Sequence, residues 1–177
     1  YEDLNKDNLI TELDQKVIGN SFPRVHLGID LDLTYKGFGI YLLGTGQFGY
    51  YNWLNNSYYW VRAENKYSEV VLDRYHPINN PNGKYPRLTT TNGSNNYRNS
   101  TFWIEKADFF RLKNLELSYT LKNKMNYGVY KQLKFFVRGT NLFCLSNVKD
   151  HDPEAVNSGL SSYPLLKNIT GGLAVNF

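Results

Sequence analysis

The sequence predicts an all-β protein whose strands form part of an antiparallel transmembrane β-barrel with long extracellular loops. Three observations point there. Apolar and polar residues alternate with period two over stretches of about ten residues, so each stretch carries one apolar and one polar face. Short turns alternate strictly with long connections, as in a barrel with one tight rim and one elaborate rim. The final alternating run closes on Phe177, an aromatic ring of the kind that settles at a membrane–water boundary.

Residues 1–24 read as an outer loop that carries a calcium-like motif. The Asp3, Asn5 and Asp7 side chains, the Leu9 carbonyl and Asp14 occupy positions 1, 3, 5, 7 and 12 of a loop. Oxygen donors at that spacing suit a hard cation. Asn8 stands where such a loop has its sharp-turn Gly, and Asp14 is one methylene shorter than the usual bidentate Glu. The plainer reading of the same residues is an Asn/Asp-rich turn entering a helix capped by Asp7 or Asn8.

Residues 25–50 read as a hairpin. Val25, Leu27, Ile29, Leu31, Leu33 and Tyr35 share one face, with His26, Gly28, Asp30, Asp32 and Thr34 on the other. Lys36-Gly37 makes the tight turn, because Gly takes the positive φ that a two-residue hairpin loop requires. The return run over 38–50 is blurred by Tyr41, Leu43 and three glycines. Residues 51–109 form a long outer loop holding half of the chain's asparagines, Pro77, Pro81 and Pro86, with a short helix expected over 61–73.

A second hairpin spans 110–143. Leu115, Leu117, Tyr119 and Leu121 lie opposite Asn114, Glu116, Ser118 and Thr120, and after a turn at 122–132 come Leu133, Phe135 and Val137. An outer loop follows over 144–165. The final strand, 166–177, sets Ile169, Gly171, Leu173, Val175 and Phe177 against Thr170, Gly172, Ala174 and Asn176. A soluble sandwich would turn such apolar faces inward, whereas a membrane barrel turns them to lipid. The lengths favour the barrel, since a tilted strand needs about 9–11 residues to cross a bilayer and soluble strands average roughly 5–6.

Composition narrows the alternatives. Net charge is +4, from 20 Lys+Arg against 16 Asp+Glu, with no basic run, so no nucleic-acid partner is expected. Cys144 is the single cysteine, which removes an intrachain disulfide framework and thiolate zinc spacing. Aromatic residues make up 16% of the chain, too many for disorder. No apolar run approaches the ~18 residues of a spanning helix. The chain opens at Tyr1 with neither an initiator Met nor a signal peptide, the start expected of a processed chain or a fragment.

His26, His76 and His151 are far apart, and no G-x-S-x-G, H-E-x-x-H or P-loop pattern occurs, so no catalytic residue and no enzyme activity are expected. No cofactor is required, and calcium is the one metal the residues suggest. Tyr50, Tyr51, Trp53, Tyr58, Tyr59 and Trp60 cluster where the second strand reaches the outer rim, as an interfacial girdle or, alternatively, as rings that stack on sugar. The polar-face charges Asp30, Asp32, Glu116 and Arg138 are expected to pair across strands or face water more often than to touch substrate.

Several segments together resemble a known family. Asp3-Leu4-Asn5-Lys6-Asp7 followed by Ile18-Gly19-Asn20-Ser21-Phe22-Pro23 is similar to its D-x-N-x-D-G…IG-x-x-x-P stretch. Phe109-Phe110-Arg111-Leu112-Lys113-Asn114 resembles its F-x-R-L-K-N strand. Arg138-Gly139-Thr140-Asn141-Leu142-Phe143, Asp152-Pro153-Glu154 and Tyr163-Pro164 follow in the family's order. The pattern Thr170-x-Gly172-x-x-Val175-x-Phe177 resembles the C-terminal signal read by the outer-membrane assembly machinery. The chain is thereby similar to the C-terminal barrel part of SusC/RagA-type TonB-dependent outer-membrane transporters.

The resemblance implies about the last five strands of a 22-stranded barrel in the bacterial outer membrane. Its partners would be the rest of the barrel and its plug, a SusD-like surface lipoprotein, and the TonB complex reached through the plug-bearing part. The activity implied is TonB-dependent import of a nutrient, a glycan or a peptide. A five-stranded sheet leaves two edges unpaired, so a larger polypeptide or further chains are expected to complete it. The rival from another class is a soluble all-β carbohydrate-binding module that uses the Tyr/Trp cluster. A small passive barrel formed by oligomerisation is the third.

Overall fold

The computed structural model describes residues 1–62, 68–90, 95–123, 130–155 and 163–177. Its main element is a five-stranded antiparallel sheet of β1 (Val25–Tyr35), β2 (Phe38–Phe48), β5 (Phe109–Lys122), β6 (Gln132–Ser146) and β7 (Asn168–Asn176), in the order β1-β2-β5-β6-β7. Two short strands, β3 (Tyr51–Trp53) and β4 (Ile104–Lys106), form a separate two-stranded ribbon. No α-helix occurs among the described residues. The chain folds as two compact units. One comprises Tyr1–Phe22, Tyr50–Lys106 and Glu154–Tyr163, and the other comprises Pro23–Gly49, Ala107–Pro153 and Pro164–Phe177.

In the sheet unit, register carries the sequence alternation across all five strands. Leu33, Ile40, Leu117, Val137 and Gly171 form one cross-strand row, and Tyr35, Phe38, Tyr119, Phe135 and Leu173 form the next. On the opposite face a row runs Asp32, Tyr41, Glu116, Arg138 and Thr170. Toward the Lys36-Gly37 turn the apolar face is uncovered: Leu33 is 55%, Leu117 53% and Val137 55% exposed. Burying a side chain of that size is worth about 1.5–3 kcal/mol, so a face of this extent is built for an apolar surrounding.

Two irregularities set the geometry of the strands. Lys36 (φ 46°) and Gly37 (φ 90°) take left-handed conformations between the paired residues Tyr35 and Phe38, which is the two-residue turn the sequence predicts. In mid-sheet the register breaks, so that Lys113 alone stands opposite Asn141 and Leu142, between the pairs Asn114–Thr140 and Leu112–Phe143. Asn141 has φ 52°, and Asn is among the few non-glycine residues that take this region readily.

Strand ends differ from the sequence expectation by a few residues. β2 stops at Phe48 rather than 50, because Gly49 turns to φ 79° and donates its N–H to Asp108 Oδ1 at 2.7 Å. The second hairpin is longer than expected, 14 and 15 residues against 12 and 11 in the ranges 110–121 and 133–143. The middle of its turn lies outside the described residues, as do 63–67 and part of the 144–165 segment.

The other unit packs on aromatic rings. Tyr59, Val61, Val71, Tyr85, Tyr97 and Trp103 are its buried cluster, with Trp53, Leu54, Tyr58, Trp60, Val70 and Leu88 partly buried against them. The helix expected over 61–73 is replaced, in its described part, by a five-residue 3-10 helix at Glu69–Asp73. Val70 and Val71 are β-branched and poor helix formers, and Val71 is drawn into the cluster.

Candidate functional site

The polar face of the sheet is organised around Glu116. It is 5% exposed, and its carboxylate accepts from Arg138 Nε at 2.8 Å and pairs with Lys134 Nζ at 2.7 Å. Glu116 and Arg138 stand directly opposite in register, so the expected pairing across strands holds for these two. Asp30 and Asp32 lie on the same face of β1, which is exposed along its whole length. His26 is also exposed there, while His76 accepts the backbone N–H groups of Ile78 and Asn79 on its Nδ1 in a turn of the loop.

At the end of the sheet opposite the Lys36-Gly37 turn, Arg111 is 5% exposed and its Nη2 meets Asp152 Oδ1 at 2.6 Å. Sequence reading found both residues inside motifs but gave no reason to join positions 41 apart. His151 is half-buried beside this pair, and burial lowers its pKa below the usual histidine value.

Two of the six clustered aromatics depart from the expected girdle. Tyr50 and Tyr59 are each 5% exposed, so neither presents a ring to lipid or to a sugar. Tyr59 is core, and Tyr58 stacks edge-on against it at 5.0 Å. Tyr51, Trp53 and Trp60 keep part of their surface and line a cleft of ≈ 1080 Å³ together with Tyr97, Arg98 and residues of the N-terminal segment. The residues that build this unit were missed in the sequence: Tyr85, Tyr97 and Trp103. The Tyr85 hydroxyl donates to the Tyr59 carbonyl at 2.7 Å and accepts from Val61 N–H at 3.2 Å. Burial pushes its pKa well above the ordinary phenol range.

In the N-terminal loop the carboxylates serve backbone amides. Asp3 accepts from the N–H groups of Lys6 (2.7 Å) and Asn8 (2.8 Å), and Asp7 accepts from Leu9 at 2.8 Å. Asp14 accepts from Thr11 (2.7 Å) and Leu4 (2.8 Å), and the Thr11 N–H foremost holds its carboxyl below the usual carboxylate range. Thr11, rather than Asp7 or Asn8, caps the 3-10 helix Glu12–Asp14 that follows. Asn5 accepts from Asp7 N–H through its side-chain oxygen. Among the described residues no group of three or more His, Cys, Asp or Glu side chains is arranged to hold a metal.

At the other end of the chain, Gly172 lies beneath the ring of Phe136, where any Cβ would collide with it. Val175 pairs with Leu133 at 40% exposure, and Phe177 is 73% exposed.

No family model matches the chain. Over its whole length it is 32% identical, across 193 aligned residues, to TonB-dependent receptor P26 of Formosa agariphila, of which it covers 19%. It is 27% identical to TonB-dependent receptor P3 of the same organism, again over the whole chain and 19% of that protein. The chain thus spans about a fifth of the length of these curated relatives. Among solved structures, 92% of the chain superposes on 18% of a chain in the RagAB peptide importer in its 'closed-closed' state, with TM-score 0.70 and 24% identity. The 'open-open' state gives TM-score 0.66 at 23% identity.

Proposed function

We propose that this chain, a partial homologue of the TonB-dependent receptors that shares its fold with part of the RagAB peptide importer, is a stretch of SusC/RagA-type barrel wall and serves TonB-dependent import of a nutrient across the bacterial outer membrane. The observation that carries this is the sheet itself. Strands of 9 to 15 residues share one apolar face, exposed at Leu33, Ile40, Leu117, Val137 and Leu173, opposite a polar face centred on Glu116. Lipid is the surrounding that accepts such a face, and a water-filled passage accepts the other. The residues 51–109 and 144–165 then belong to the outer rim, with the first contributing its aromatic cleft to contacts with cargo or a covering lipoprotein.

On this reading the partners are the remaining barrel strands, a plug, a SusD-like lipoprotein, the TonB complex and the outer-membrane assembly machinery. The test is made on the full-length receptor. It is expected in the detergent-extracted outer membrane as a heat-modifiable barrel, and its deletion is expected to abolish growth on the nutrient it carries, as loss of TonB does. A folded, water-soluble monomer made from this chain alone would instead establish the soluble binding module.

Calcium at the N-terminal loop is a subsidiary proposal. Asn8 holds φ 65° at the turn position, as a cation loop requires, while the carboxylates are engaged by amides. Binding would have to turn the remaining lone pairs of Asp3, Asp7 and Asp14 onto one point. A rise in thermal stability with calcium that disappears in Asp3→Ala is the expected result, and equal stability with and without calcium retires the site.

A further inference from the structure

We infer that the segment from Asn147 to Pro153 is a strap folded over the polar face of the sheet and latched there by the Arg111–Asp152 pair. Resting on the barrel reading above, this makes it a narrowing of the outer mouth of the passage. Register fixes which face Arg111 occupies. Gly28, Thr45, Arg111 and Cys144 form one cross-strand row, on the side of the sheet that carries Asp32, Tyr41, Glu116 and Arg138. β6 ends at Ser146, and the chain turns back at once: Asn147 N–H donates to the Asp108 carbonyl, and Val148 N–H donates to Ser146 Oγ at 3.1 Å. That return brings Val148 (5% exposed) and Pro153 into buried positions and sets Asp152 against Arg111.

The covering is local. Arg111 and Phe109, at the loop end of β5, are 5% and 2% exposed, while Ser118 and Thr120 toward the turn end of the same face keep partial exposure. Between strap and sheet lies a cavity of ≈ 350 Å³ lined by Arg111, Cys144, Ser146, Val148, His151 and Asp152. A buried ion pair fixes geometry more surely than it adds stability, and removing one partner leaves a charge that seeks water. On this inference, loosening the pair frees the strap from the face that it covers.

Cys144 reports the difference, because it is half-buried and lines the cavity between strap and sheet. In the full-length receptor, with any other cysteines replaced, the rate of labelling by a membrane-impermeant maleimide added to whole cells is measured for the native protein, Asp152→Asn and Val148→Ser. The second variant removes the apolar anchor without stranding a charge. Each is first checked for a heat-modifiable band in the outer membrane, and absence of that band from the native protein would overturn the barrel reading rather than the latch. Assembled variants are expected to label about tenfold faster than the native protein. Labelling at the native rate in either assembled variant overturns the latch.

Discussion

Single side chains decide whether the unit containing Tyr50–Lys106 has an interior. Tyr85 is the clearest case, since its hydroxyl serves the Tyr59 carbonyl and the Val61 N–H and lies 3.3 Å from the Tyr97 hydroxyl. Tyr85→Phe keeps the ring against Trp103, at 5.9 Å between centroids, but takes the hydroxyl away from two buried backbone groups. The expected cost is about 1–3 kcal/mol, confined to this unit. Amide exchange in the full-length receptor should show faster exchange at Val61 and Trp103, with unchanged exchange in β5. None of this was legible in the sequence. Tyr59, Tyr85, Tyr97 and Trp103 are separated by 26, 12 and 6 positions along the chain, too irregularly for any period to mark them as one core.

Strands were legible because alternation is a local property. The first spans the expected residues, Val25–Tyr35, and the turn at Lys36-Gly37 has the left-handed backbone that its Gly announces. The second hairpin carries one apolar residue, Phe136, among its polar-face positions, and the register shifts at Lys113. Phe136 lays its ring over Gly172 of β7, on the polar face, so an apolar residue stands there without a change of register. Lys113 sits at the bulge, where Asn141 adopts φ 52°. A β-branched residue resists that conformation, so Asn141→Val is expected to cost about 1–2 kcal/mol and to slow assembly of the barrel, while Asn141→Gly assembles normally. Pulse-chase formation of the heat-modifiable species measures both. In the described part of 61–73 the expected helix gives way for the complementary reason: Val61, Val70 and Val71 are claimed by distant aromatic partners, which overrule a weak local preference.

At the scale of the whole chain, the two units divide the work. One presents an apolar face and a polar face, and the other is held by rings and by tyrosine hydroxyls. Resemblance to the receptors was legible from motif order, whereas the Arg111–Asp152 contact was not, because charge complementarity alone joins any Arg to any Asp. The two-stranded ribbon matters most here. Tyr51–Trp53 pairs with Ile104–Lys106, so the stretch between them leaves and re-enters at neighbouring points. Replacing residues 54–103 by a short Gly/Ser linker is therefore expected to leave outer-membrane assembly intact and to remove binding at the aromatic cleft, as judged by heat modification and by cargo uptake. Such a stretch behaves as a cassette. Its internal sequence can be lengthened, shortened or exchanged while the strands on either side keep their register, so on the proposed import function recognition can diversify without altering the sheet.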